Sequence, residues 1–185
     1  FCVRTKYEQS SAGSINYLIA QAYLKADSLR IDSIDLYYYD GGKDPGNIDG
    51  GHPSPGFSVK HLVVSTVRGR LGPMSGTVWY DGKNVSSIRA DATIDVKKLS
   101  TNNDARDNDL RGADFFAVDK YPTIAFKSKR AEPVDAGHFK LIGDLTIRDV
   151  TKEVVLTVEG PSRVVKTARE QRIAATATTT INRFD

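Results

Sequence analysis

Lys60 and His61 stand side by side in FSVKHLVVSTVRGR, residues 57–70. An amine next to an imidazole is a pairing that general acid–base catalysis can use. The other two histidines, His52 and His138, lie far from it, and none of the three falls in the HExxH or HxH spacing of a metal site. No serine sits in a GxSxG elbow and Cys2 has no base beside it, so nucleophilic catalysis lacks a candidate. Asp104, Asp107, Asp109 and Asp114 crowd one connection. Their spacing departs from the Asp-x-Asp-x-Asp-Gly order of a calcium loop and reads as a solvated helix and turn. GRLG and the Gly-Gly pairs read as turns, since no helix with Lys-Ser/Thr follows to cradle a phosphate. The surrounding run alternates with period two, which sends Lys60 and His61 to opposite faces of a strand. They cannot share one substrate atom without a bulge. A non-catalytic protein is therefore expected, with His61 and the Asp-rich loop kept as the enzyme alternative.

Which elements carry these residues follows from composition and periodicity. A chain of 185 residues with 39% hydrophobic and 26% charged residues suits one soluble domain with an appendage. A net charge of +3, with basic residues scattered, gives no argument for nucleic acid. No run approaches the roughly 18 apolar residues of a membrane span. The single cysteine excludes an internal disulfide framework. Residues 1–14 lack the charged-then-apolar order of a signal peptide.

Residues 1–46 differ in texture from the rest. Ile15, Leu18, Ile19, Ala22, Tyr23, Ala26 and Leu29 recur at spacings of three and four, which predicts a helix over 14–26 with Ser14 as its cap. Residues 28–39 read as either a short strand or more helix. GGKDPGN, 41–47, marks the boundary to a second unit, 47–185. From Gly56 the period is two: Phe57, Val59, His61 and Val63 share one face. Ile88, Ala90, Ala92, Ile94 and Val96 share another, in a strand wet on one side. SGTVWYD, YPTIAFKSKR, HFKLIGDLTIRD, TKEVVLTVEG and QRIAATATTTIN supply five more strands, and 101–116 a polar connection with a short helix. Seven strands without crossover helices predict an all-β antiparallel barrel or sandwich. Small inward residues such as Ala90, Ala92, Ala175 and Ala177 leave room for a ligand, while a solid core is the simpler alternative.

Residues 49–185 resemble the YceI-like family of polyisoprenoid-binding bacterial proteins. Asp49, His52, Ser54 and GFSVKH match its opening D-x-x-H-x-S-x-x-F-x-V-K-H, and STVRGRLG continues it. RDNDLRGADFFAVDKYPTIAFKS, GDLTIRDVTKEV and ATTTINRFD match three later motifs. The resemblance implies a lipocalin-like antiparallel β-barrel with an apolar tunnel holding a polyisoprenoid lipid, a prenyl phosphate or an isoprenoid quinone. Neither cofactor nor metal is implied. Tail-lining residues are expected at Phe57, Val59, His61, Val63, Ile94, Phe115, Phe116, Ile124, Phe126, Leu141 and Leu145. Burying several hundred Å² of tail at about 25 cal/mol/Å² would supply on the order of 10 kcal/mol before entropy costs. The expected partner is the lipid itself, in the periplasm or outside the cell, and a dimer is compatible with the sequence. An interaction module with a packed barrel is the other non-catalytic reading.

Several positions depart from the family pattern. Asp109 replaces the usual histidine of D-x-H-L, Gly112 a serine, Leu71 an aromatic and Pro55 a valine. The family continues beyond N-R-x-D to a further strand. The preferred reading is a fragment lacking its C-terminal strand, with an unpaired edge. The other is that residues 28–39 supply that strand.

Overall fold

The computed structural model describes residues 28–40, 46–48, 55–61, 65–166 and 171–182, with backbone alone for 28–40, 60, 61, 65 and 171. The helix expected over 14–26 lies outside the described residues, as does Val63. Among the described residues, eleven strands form one antiparallel sheet. They are β1 (Ser28–Asp40), β2 (Gly46–Asn47), β3 (Gly56–His61), β4 (Ser65–Arg70), β5 (Met74–Trp79) and β6 (Arg89–Asp95). Then come β7 (Thr123–Asp135), β8 (His138–Ile147), β9 (Val150–Glu159), β10 (Val165–Lys166) and β11 (Gln171–Asn182). One helix, α1 (Asp104–Arg111), occupies the connection where a short helix was expected. The order across the sheet is β2-β5-β6-β7-β8-β9-β11-β1-β3-β4, with β10 paired to β11. The sheet curls until Arg70, at the end of β4, exchanges backbone hydrogen bonds of 2.8 and 2.9 Å with Ser100 beyond β6. The all-β, lipocalin-like architecture expected from the sequence is the one observed.

Residues 28–39, open between strand and helix, are strand. β1 runs antiparallel to β11 from Ser28↔Asn182 to Asp40↔Gln171, and on its other side pairs with β3 through Leu29↔Val59 and Ile31↔Phe57. The edge expected to stand unpaired beside β11 is therefore covered by a segment from the opposite end of the sequence. The pairing satisfies a row of backbone groups that a curled sheet would otherwise leave open.

Alternation places the core as expected. Ile88, Ala90, Ile94 and Val96 are buried, while Thr93 between them faces water. In β7, Ile124, Phe126 and Ser128 point inward until the register shifts between Ser128 and Arg130. The extra residue restores inward facing at Ala131. At this bulge the Ala90 N–H donates to Ser128 Oγ at 2.7 Å, so the buried hydroxyl completes the ladder the bulge interrupts. Gly143 faces Ser128 across the pair. A Cβ there would lie 2.4 Å from the Lys127 carbonyl oxygen and 2.8 Å from Phe126 Cζ.

Gly143→Ala is therefore expected to cost roughly 1–3 kcal/mol by overpacking, read as a lower urea midpoint at unchanged m-value. A second expectation concerns the turn between β7 and β8, where His138 Nδ1 lies 2.7 Å from Asp135 Oδ1. That hydrogen bond, then the Asp135 charge and the more distant Glu159, hold the imidazole above its ordinary pKa. A raised folded value means the pair stabilises the fold fully below the unfolded pKa, and the contribution is lost as pH rises through the folded one. Both side chains are half exposed, so salt weakens the effect. An NMR titration should place the His138 midpoint above 6.5, and Asp135→Asn should lower it.

Candidate functional site

The connection after β6 is held by a buried carboxylate. Asp107, 3% exposed, accepts from Thr101 N–H at 2.8 Å and from Thr101 Oγ1 at 2.5 Å. Arg106 adds Nε to Thr101 Oγ1 at 2.7 Å and Nη2 to the Thr101 carbonyl at 2.9 Å. Arg111 donates to the Lys97 and Leu99 carbonyls at 2.9 and 2.7 Å. Asn103 caps the helix by accepting from Arg106 N–H. The expected solvated acidic surface thus needs one correction: Asp107 faces inward and ties α1 to Thr101 in the connection that precedes it. Asp104, Asp109 and Asp114 stay exposed or half exposed.

So anchored, α1 directs Leu110, 4% exposed, into the core. The chain then folds back on the helix. Phe116 N–H donates to the Leu110 carbonyl and Val118 N–H to that of Arg111. This return places Phe115 and Phe116 against the barrel's apolar cluster.

These residues border a cavity of about 700 Å³. Phe57 and Val59 of β3 form one side, and Leu110, Phe115 and Phe116 another. Leu145 and Ile147 of β8, with Val154 of β9 and Ile181 of β11, complete the apolar lining. Phe57 is locked from behind, since a Cβ on Gly69 would lie 2.6 Å from its ring and 2.8 Å from Thr101 Cγ2. The rim carries Asp114, Arg148, Asp149, Lys152 and Glu153. Two cations against three carboxylates leave it without a cationic cluster. Glu153 is paired to Lys129 at 3.2 Å.

The cavity opens where two strands part. β9 and β11 pair only through Thr176↔Glu159, Ala177↔Val158 and Thr178↔Thr157. One further stitch follows, from Thr179 Oγ1 to the Val155 carbonyl at 3.0 Å. Val150 and Val155 of β9 and Thr180 and Ile181 of β11 all border the cavity. Val150 and Val155 are 50% and 45% exposed, apolar surface at the lip of an apolar space. The β8–β9 turn forms the adjoining rim. Arg148 there adopts φ 58°, its Nη1 donates to the Phe115 carbonyl at 3.0 Å, and its guanidinium lies over Tyr121. The Tyr121 hydroxyl reaches Asp149 Oδ2 at 3.2 Å.

Of the expected lining residues, Phe57, Val59, Phe115, Phe116 and Leu145 border this cavity. Ile94, Ile124, Phe126 and Leu141 do not; they are buried in the packed core. For His61 the backbone is described, paired with Ser65. Leu110, Ile147, Val154 and Ile181 were not anticipated. A lone leucine in the polar helix DARDNDLR was the signal for the first; the others depend on where β9 and β11 separate. Among the described residues no group of three or more His, Cys, Asp and Glu is placed to hold a metal ion. No helix among them is long and apolar enough to cross a membrane. The arrangement can take hydrocarbon out of water and leave a polar end at the rim.

The sequence profile of the YceI-like domain matches residues 47–185. The chain is 40% identical over 111 residues to a UPF0312 protein of Staphylococcus aureus strain bovine RF122 / ET3-1, a match covering 60% of this chain and 62% of that one. The UPF0312 protein of strain USA300 is 39% identical over the same extent. The match thus spans less than two thirds of these curated relatives. The crystal structure of a Campylobacter jejuni YCEI protein is similar at a TM-score of 0.57 and 34% identity, over 70% of this chain and 76% of that one. Burkholderia cenocepacia BcnA shares the fold at a TM-score of 0.50 and 16% identity, over 80% and 99% of the two chains.

Arg148→Ala should release the hairpin from the segment it holds. Amide exchange over 115–121 is expected to quicken about fivefold to tenfold, while global stability falls by no more than about 1 kcal/mol. Hydrogen-exchange mass spectrometry with urea unfolding reads both.

Proposed function

We propose that this chain, which belongs to the YceI-like domain family, binds and sequesters an isoprenoid lipid by its tail, without catalysis. The observation that carries this is the cavity of about 700 Å³, lined by Phe57, Leu110, Phe115, Phe116, Leu145 and Ile147 and open beside charged residues. Volume and lining are those of a site that buries most of an apolar ligand and fixes only its end. Each methylene removed from water contributes about 0.8 kcal/mol, so a tail alone supplies enough free energy to bind without an ionic contact.

The rim favours an uncharged head, such as a quinone or an alcohol, over a phosphate. Arg148 is engaged with the Phe115 carbonyl, and the two cations of the rim stand against three carboxylates. A doubly charged group would meet as much repulsion as attraction. Between the diverging β9 and β11, backbone groups give a polar head hydrogen-bond partners that a hydrocarbon cannot use. Such a protein is useful where a water-insoluble lipid must cross an aqueous compartment, and the periplasm is the setting we favour.

The test is lipid extraction and native mass spectrometry of the purified full chain. A co-purifying or titratable prenyl lipid is expected, with affinity changing less than about threefold between 50 and 500 mM salt, because screening acts on charged contacts. Val154→Glu, which puts a carboxylate in the lining, should weaken binding more than about tenfold with the circular dichroism spectrum retained. A folded protein that takes up no prenyl lipid would rule the reading out.

A further inference from the structure

After β9 the chain turns through Gly160, Pro161 and Ser162 and runs on beside β11 as β10. The Ser162 N–H donates to the Ala174 carbonyl at 2.8 Å, and the Ala174 N–H donates to Ser162 Oγ at 2.9 Å. Val165 then stands opposite Arg172, and Lys166 opposite Gln171. On its other edge the same part of β11 pairs with β1, through Ala174↔Tyr37, Ile173↔Tyr38 and Arg172↔Tyr39. The backbone of this ribbon is therefore held, yet two of its apolar side chains are not packed. Val164 is 42% and Val165 59% exposed, and Arg163 and Lys166 are exposed on either flank. A single exposed apolar residue is ordinary. Among the described residues, these two form the one consecutive pair of exposed large apolar residues. Successive residues of an extended chain point to opposite faces, so the pair leaves apolar surface bare on both.

We infer, independently of the lipid-binding reading, that the β10–β11 hairpin docks on the surface of a bilayer with anionic headgroups. Charge selects the anionic surface. Residues 160–172 carry Arg163, Lys166, Arg169 and Arg172 against Glu170 alone. With 26 basic and 23 acidic residues overall, the rest of the chain holds 22 of each, so its net charge of +3 resides in this one stretch. Shape selects a bilayer over a folded acidic partner. A folded partner covers one face of a two-stranded ribbon, whereas the interfacial layer of a membrane surrounds both. Cations are drawn to the headgroups while neighbouring apolar side chains enter the boundary of the acyl region, and the two contributions add. The aliphatic stems of Arg163 and Lys166 can lie along the same apolar zone with their charged ends in the headgroup layer. Across β11, β1 adds Tyr37, Tyr38 and Tyr39 to the register, a residue type concentrated at membrane–water interfaces. Val150, Val155, Thr179 and Ile181, which border the cavity, lie toward the other ends of β9 and β11. Docking through the hairpin therefore leaves the cavity lining untouched.

Vesicle flotation of the full chain tests this, with phosphatidylcholine alone compared with phosphatidylcholine containing phosphatidylglycerol. Bound protein should be at least about fivefold higher on the anionic vesicles at low salt and fall severalfold at high salt, because the attraction is screened. The double variant Arg163→Glu/Lys166→Glu should bring binding to within about twofold of the neutral vesicles. Val164→Ser/Val165→Ser should weaken it about threefold to tenfold with the salt dependence retained. Lys83→Glu/Lys98→Glu, exposed lysines outside the hairpin, makes the same change in net charge and should bind within about twofold of the parent chain. All these positions are exposed, so the urea midpoints should not move. A folded chain without preference for anionic vesicles overturns the proposal. So does an equal loss in Lys83→Glu/Lys98→Glu, which would make overall charge the cause. Dependence on the two cations but not on the valines also overturns it, in favour of a soluble acidic partner. Prenyl-lipid uptake should be unchanged in both hairpin variants. A parent chain that docks on vesicles yet takes up no prenyl lipid counts against the lipid-binding reading alone.

Discussion

Every backbone N–H and C=O in a curled sheet needs a partner, and between β3 and β11 that partner is β1. It contributes two sides at once, with Ile31 opposite Phe57 and opposite Thr179, and Leu29 opposite Val59 and Ile181. All four of those neighbours, Phe57, Val59, Thr179 and Ile181, border the cavity. The wall of the site is thus set by hydrogen bonding between segments at opposite ends of the sequence. Were β1 not in place, two rows of backbone groups would be exposed next to apolar side chains, the situation that drives edge-to-edge association.

Against this continuous side stands the incomplete one. β9 is paired with β8 along its whole length and with β11 at three positions only. The same strand is therefore rigid on one edge and open on the other. This asymmetry lets a site exist in a barrel whose body is packed. A barrel of this size either fills with side chains or encloses one ligand; among the described residues, those of β5–β8 contribute buried side chains and a cavity lies beside β9 and β11.

Polar residues set the boundary between these two regions. Buried Ser128 completes the ladder at the β7 bulge, and buried Asp107 fixes the helix that carries Leu110. Each is satisfied by backbone or hydroxyl partners, as a buried polar group must be to avoid its desolvation penalty. Together they show why polar residues in an apolar setting read poorly as chemistry. Asp107 belongs to an acidic run that looks like a surface or an ion site, and its work is to hold a helix in place.

Much of the fold was legible in the sequence because period two is a local property. The alternation of Ile88, Ala90, Ile94 and Val96 needs no tertiary information to indicate a strand with one wet face. The same holds for the short helix near 104–116 and for the family motifs, whose order along the chain implies the barrel. The opposition of Lys60 and His61 also follows from strand geometry alone, and it was enough to set a joint catalytic role aside. Which inward residues meet empty space was not legible. Ile124, Phe126 and Leu141 carry the same inward signature as Phe57 and Leu145, and only the packing of the closed sheet separates them. Nor could alternation over 28–39 say which strands it would join, since pairing depends on open edges elsewhere. Sequence determined the elements and their faces, because those follow from neighbours one or two residues away. The tertiary structure alone decided where the volume lies, because a cavity is what remains after distant side chains have filled the rest.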